Sequence, residues 1–242
     1  MMKPLRAGDT FRFDCHPGVP CFNECCRDLD QFLMPYDILR LRRALALDSH
    51  AFLERFCRLH VGPRSGLPVV TLAPADPVRL ACPFVTPRGC RVYDDRPASC
   101  RTYPLVRVLS RSRATGRTEA SYLLLKEPHC RGFEQAARRN LSEWIDDQAI
   151  APYNRFNDPL LDIISLKNRR HPGALAADAL RLFRLACYDL DAFRRAIGED
   201  RLPGGIAPGG ELRRAAGSDD ENLLMAGYRF LEKELFDREE PG

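Results

Sequence analysis

Apolar residues change rhythm along this chain, and each rhythm predicts a different kind of element. In "FLMPYDILRLRRALAL", Ile38, Leu39, Leu41 and Leu45 form a partly apolar helical face, and Pro35 suits a first helical position. A second helix is expected over "HAFLERFCRLH", with Asp48 or Ser49 as its cap and Cys57 beside the stripe of Phe52, Leu53 and Phe56. Between residues 67 and 126 the pattern turns to short β-prone runs: "LPVVTLA", "RVYD", "LVRVLS" and "ASYLLLKE", separated by Pro, Gly and Asp. "SRATGR" reads as a hairpin turn, and "RPASCRTYP" as a short helical turn closed by Pro104. The remainder predicts helices. "LSEWIDDQAIAPY" has Ser142 as its expected cap, and "DPLLDIISLKNRR" carries proline inside its first turn. "GALAADALRLFRLACYDLDAFRRAIG" follows, and "ENLLMAGYRFLEKELF" puts Leu224, Tyr228, Leu231 and Leu235 on one face. The Gly-rich, polar "RLPGGIAPGGELRRAAGSDD" predicts a flexible loop near 201–218.

Charge narrows the partners. The net charge of +4 over 242 residues is too weak to imply nucleic acid. Arg107, Arg111, Arg113 and Arg117 line the expected hairpin, but few aromatics interleave with them, so a solvated face is expected. No run of 18 apolar residues occurs, so no membrane partner is expected. "MMKPLRAGDTFRFDC" lacks an apolar signal region, and the expected compartment is a reducing cytoplasm.

Ten cysteines in such a compartment point to metal ligation or redox chemistry more than to disulfides. Cys15, Cys21, Cys25 and Cys26 form a proximal group, C-x5-C-x3-C-C. Cys82, Cys90, Cys100 and Cys130 form a distal group, C-x7-C-x9-C-x29-C. Thiolates are soft ligands for zinc or iron–sulfur clusters, and a tetrahedral zinc or a four-iron cluster takes about four of them. All eight are therefore candidate metal ligands, and zinc and an iron–sulfur cluster are the candidate cofactors. One four-ligand site with spares, two mononuclear sites and a polynuclear site all remain open. His16 and His129 adjoin candidate cysteines and could supply nitrogen. Adjacent Cys25 and Cys26 cannot easily face one small ion together. Cys57 and Cys187 fall in apolar helical patterns and read as small buried hydrophobes. The C-x2-C knuckle, the C-x3-C-x2-C run and the ferredoxin run are absent.

Three stretches, "FDCHPGVPCFNECCRDLDQFLMPYDILRL", "ACPFVTPRGCRVYDDRPASCRTYPL" and "EPHC", together resemble the YkgJ-type cysteine-cluster family over roughly residues 11–135. The Cys25–Cys26 pair, the "CPF…GC.VY..RP..CR.YP" block and Cys130 carry the resemblance. The spacing before Cys25 is longer than the compact C-x2-C-x2-C-C form. The resemblance implies a zinc- or iron-chelating domain, with the helical region as an extension. One branch is similar to flagellin lysine N-methylase, which would imply a cluster and S-adenosylmethionine. No Gly-rich nucleotide fingerprint follows a strand here, since "PGGIAPGG" lies in an expected loop.

Asp94, Asp95, Arg96 and Arg101 surround two of the cysteines in sequence. Either the arginines offset thiolate charge, or they are solvated beside a capped turn. Tyr93 and Tyr103 are expected simply to pack. The fold class expected is α+β: a small cysteine-rich domain of short strands and helices around a metal site (1–135), followed by packed C-terminal helices (136–242). Trp144, Leu160, Leu161 and Ile164 are the expected contact residues of those helices. The expected function is metal binding in a structural or redox role. The alternatives are a cluster-dependent enzyme, such as a protein lysine methyltransferase or oxidoreductase, and an interaction module whose helical half docks a protein partner.

Overall fold

The computed structural model describes residues 2–6, 8–27, 30–111 and 118–236. Its strands are β1 (Met2–Leu5), β2 (Thr10–Arg12), β3 (Phe32–Leu33), β4 (Cys57–Val61), β5 (Pro68–Leu72), β6 (Val85–Thr86), β7 (Gly89–Cys90), β8 (Leu105–Arg111), β9 (Thr118–Leu125) and β10 (Arg138–Asn140). Its first five helices are α1 (Pro35–Ala44), α2 (Ser49–Phe56), α3 (Ala98–Thr102), α4 (Leu141–Asp147) and α5 (Ile150–Arg170). Then come α6 (Ala177–Tyr188), α7 (Leu190–Gly198), α8 (Gly210–Ala216) and α9 (Asp220–Leu231). The fold class is α+β, as the pattern predicts.

Two compact units interleave in sequence. One comprises Met1–Leu29 and Pro74–Tyr153, the other Asp30–Ala73 and Asn154–Gly242. This division does not coincide with the expected single cut at residue 135. Residues 30–73 gather with the C-terminal helices because α1 and the strand Pro68–Leu72 pack on α6, α2 packs on α7, and Ser49 bonds to Asp189.

The first unit is built on β1-β9-β8, a short β2–β10 ladder and the small β6–β7 hairpin. Its core is Phe11, Phe13, Leu105, Trp144 and Ile150, with Tyr103, Cys130 and Phe133 half-buried against it. Trp144, expected to bridge the two halves, belongs to this core. It meets Phe13 edge to face at 5.5 Å, and its indole N–H donates to the Thr102 carbonyl at 3.1 Å. The cap of α4 is Asn140, not Ser142: Asn140 Oδ1 accepts from the Glu143 N–H, and the Glu143 carboxylate accepts from the Asn140 N–H. β8 and β9 pair as expected, while the turn at 112–117, with Arg113 and Arg117, lies outside the described residues. "RVYD" forms no strand beyond Cys90. Tyr93–Asp95 instead makes a 3-10 turn, held by Arg101 donating to the Asp94 carbonyl at 2.8 Å.

In the second unit Asp48 caps α2 through the Ala51 N–H, as read. That helix stops at Phe56, because Cys57–Val61 pairs with Pro68–Leu72; long-range pairing overrides the local helical pattern. Proline does not start α5. The helix runs through Pro159, since Phe156, Leu160, Ile163 and Lys167 continue a buried stripe at helical spacing across it. Leu161 falls off that stripe and is exposed, and Ile164 is half-buried. The single expected helix over 173–198 breaks at Asp189, which ends α6 and caps α7. The Gly-rich 201–218 stretch is no bare loop. A 3-10 turn at Pro203–Gly205 and helix α8 occupy it, fixed by buried Leu202, Pro203 and Leu212. On α9, Leu224, Tyr228 and Leu231 are buried, but Phe236 takes the inward place expected of Leu235. Arg42 and Arg194 both pair with Asp220, tying α1 and α7 to α9. Among the described residues no helix is long and apolar enough to cross a membrane.

Candidate metal centre

All ten cysteines are free thiols. The eight candidates lie in the first unit on four segments: the loop 14–27, the turn and hairpin 82–90, α3, and the turn 130–134. Backbone and side-chain hydrogen bonds stitch these segments together. The Cys82 N–H donates to the Cys26 carbonyl at 2.8 Å, and the Asn23 side chain donates to the Thr86 carbonyl at 2.9 Å. The Asp14 N–H reaches the Gly132 carbonyl at 3.1 Å. The Arg131 N–H donates directly to Cys21 Sγ at 3.1 Å.

Two glycines permit this approach. A Cβ on Gly132 would stand 2.6 Å from Phe13 Cε2 and 2.8 Å from the Asp14 carbonyl. Gly89 turns the β6–β7 hairpin at φ +114°, a region that favours glycine, and lies against Phe22 of the cysteine loop.

The sulfurs are near enough to act on one another's charge. Burial, then the charges of Cys25, Cys21 and Cys130, push Cys15 up to about 11. The Cys26 thiol donates to Cys25, which lowers Cys25 to about 7 and raises Cys26. Cys26 is further raised by burial and by Cys82 and Cys100. Burial raises Cys82, Cys90 and Cys130, and backbone N–H groups oppose it: Phe84 and Val85 at Cys82, Val92 at Cys90, Gly132 at Cys130. A neighbourhood of Cys15, Cys21 and Cys130 thus adjoins one of Cys25, Cys26, Cys82, Cys90 and Cys100, with Cys25 acting on members of both. Among the described residues, no three cysteine, histidine or carboxylate side chains stand at the spacing of an ion's ligands. The set nevertheless fits zinc or iron in its chemistry: soft donors, with backbone N–H groups aimed at several sulfurs.

Arg96 is buried beside this set. Its guanidinium lies 3.8 Å from the Tyr93 ring centroid and donates to the Tyr93 carbonyl and the Gln148 side chain. Burial lowers its pKa, while Cys100 and Cys90 act in the opposite direction. Its burial rules out the solvated alternative for this arginine. Arg101 has a different role: it bonds to the carbonyls of Arg96, Asp94 and Gln148 and lies over the Tyr153 ring, which secures α3. Tyr103 packs as expected, edge to face with Phe13 at 5.8 Å, and burial raises its pKa.

His16 is exposed, and its Nδ1 accepts from the Gly18 N–H at 3.1 Å. His129 is exposed beside Glu127, 3.7 Å away. Cys57 and Cys187 lie in the second unit; burial alone pushes Cys57 up to about 12 and Cys187 well above its ordinary value. The Arg131 N–H and the Gly132 approach were not read from sequence. The only trace of them there is a glycine two residues after Cys130.

Residues 14–131 match the model of the CxxCxxCC family, described as a "putative zinc- or iron-chelating domain". This segment, just under half of the chain, is similar to that cysteine-cluster family. The match begins one residue before Cys15 and ends one residue after Cys130, so the cysteine-cluster domain contains all eight candidates. Neither curated proteins nor solved structures gave a significant match. That family's description supports metal binding by this segment.

Proposed function

We propose that the cysteine-cluster domain holds zinc or an iron–sulfur cluster through thiolates drawn from Cys15, Cys21, Cys25, Cys26, Cys82, Cys90, Cys100 and Cys130. The observation that supports this reading is that hydrogen bonds hold four cysteine-bearing segments together in one unit, the Arg131 N–H donating directly to Cys21 Sγ, and the electrostatics of the sulfurs agree with it. Donors to sulfur favour the thiolate over the thiol and orient it. Bound zinc would supply a redox-inert crosslink between the segments, and a bound cluster an electron-transfer centre. In either case the Arg96 cation and the N–H groups offset the accumulated negative charge, which otherwise sets the thiolates against one another.

Metal and sulfide analysis of anaerobically purified protein is the test. Iron with matching sulfide and a brown colour supports a cluster; stoichiometric zinc without sulfide supports a zinc site. Protein that carries neither metal, and takes up neither on anaerobic reconstitution, overturns the reading.

A further inference from the structure

The second unit holds a cationic cavity that contains no cysteine. It measures about 300 Å³ and is lined by His50 of α2, by Arg181, Arg184 and Leu185 of α6, by Asp189, and by Arg195 of α7. Three arginines thus line a space of the size that small ligands occupy, while the His50 imidazole is engaged between Asp189 and Glu54, 3.3 Å from the latter.

The balance of donors and acceptors around it is uneven. Asp189 is the one carboxylate in the lining, and its oxygens are engaged: Oδ1 accepts from Ser49 Oγ at 2.8 Å and from the Ala192 N–H at 3.3 Å, and Oδ2 lies 3.5 Å from His50 Nδ1. Arg181 pairs with Asp178 at 3.5 Å, but both side chains are largely exposed, so that pairing is weak. Among the described residues no carboxylate pairs with Arg184 or Arg195.

We infer that this cavity binds the phosphate group of a small phosphorylated ligand. Planar guanidinium forks match phosphate oxygens two at a time, and several cations around one space favour a dianion over a monoanion. The site is independent of the metal reading, because no candidate metal ligand lines it.

Titration calorimetry of the full-length protein with inorganic phosphate, at ionic strength matched with chloride, tests the inference. Saturable binding is expected. Arg184→Gln and Arg195→Gln should each weaken it by about tenfold or more, the loss of one charge-assisted contact. Arg195 is exposed, so its variant keeps the fold even if the Arg184 variant does not. Arg201→Gln, outside the cavity and paired with Glu199, should bind as the parent does. Phosphate that binds no better than chloride, equal affinity in the Arg195 variant, or succinate binding as tightly as phosphate would each overturn it.

Discussion

The backbone N–H of Arg131 donates to the sulfur of Cys21, 110 residues earlier, at 3.1 Å. This bond joins the last cysteine-bearing turn to the first cysteine loop without using a side chain from the later segment. It depends on the close approach of Gly132 to Phe13 and Asp14, which any larger residue would block.

Gly132→Ala should therefore disturb both the core and the cysteine set. Its Cβ would meet Phe13 and the Asp14 carbonyl well inside contact distance, and overpacking of this kind costs about 1–3 kcal/mol. Urea unfolding followed by the fluorescence of Trp144, the single tryptophan of the chain, is expected to show that loss, together with reduced metal content.

Cysteine substitutions should divide by neighbourhood. Cys25→Ser and Cys100→Ser are expected to lower bound metal in elemental analysis and to destabilise the tryptophan-reported unit. Cys187→Ser buries a hydroxyl in an apolar site, at about 1–3 kcal/mol, yet should leave metal content at the parental level. Equal metal loss from all three would defeat the proposed partition.

Metal retention should strengthen as pH rises. Cys15, Cys82, Cys90 and Cys130 have pKa values above the ordinary 9.0, so they keep their protons at neutral pH, and binding must displace them. Acidification favours the proton over the metal. The logarithm of apparent affinity should climb by about one per pH unit for each proton displaced, measured by chelator competition between about pH 6 and 8. Metal-free protein should show the opposite trend at alkaline pH. Unfolded thiols ionise near 9.0, whereas folded Cys15 and Cys57 hold their protons to about 11 and about 12. The folded state then binds more protons than the unfolded one, and stability falls as pH rises past 9.0.

Arg96→Gln removes the cation beside Cys90 and Cys100 while leaving a side chain that can still hydrogen-bond. Metal affinity is expected to drop about 10-fold or more, in the range seen for residues that support metal ligands. Arg96→Lys should recover part of it, since the charge returns but the planar stack on Tyr93 does not. Chelator competition on the three proteins measures the order; identical affinities would remove Arg96 from the charge balance.

The candidate ligands were legible in the sequence because thiolate softness is a property of the residue itself. So were α1 behind Pro35, the Asp48 cap and the β8–β9 pairing, whose signals lie within a few residues of the elements they specify. What lay beyond reach depended on partners distant in the chain. Cys57–Val61 became a strand because Pro68–Leu72 was there to pair with it, and α5 crossed Pro159 because a buried stripe continued on both sides. Likewise, the burial of Arg96 and the meeting of Cys21 with Arg131 arise only when the chain has folded back on itself. Composition and local pattern determined which ligand chemistry the side chains offer. Long-range backbone pairing and exclusion of water decided which thiols became neighbours and which charges stand beside them, because those energies exist only between segments that the fold has already brought together.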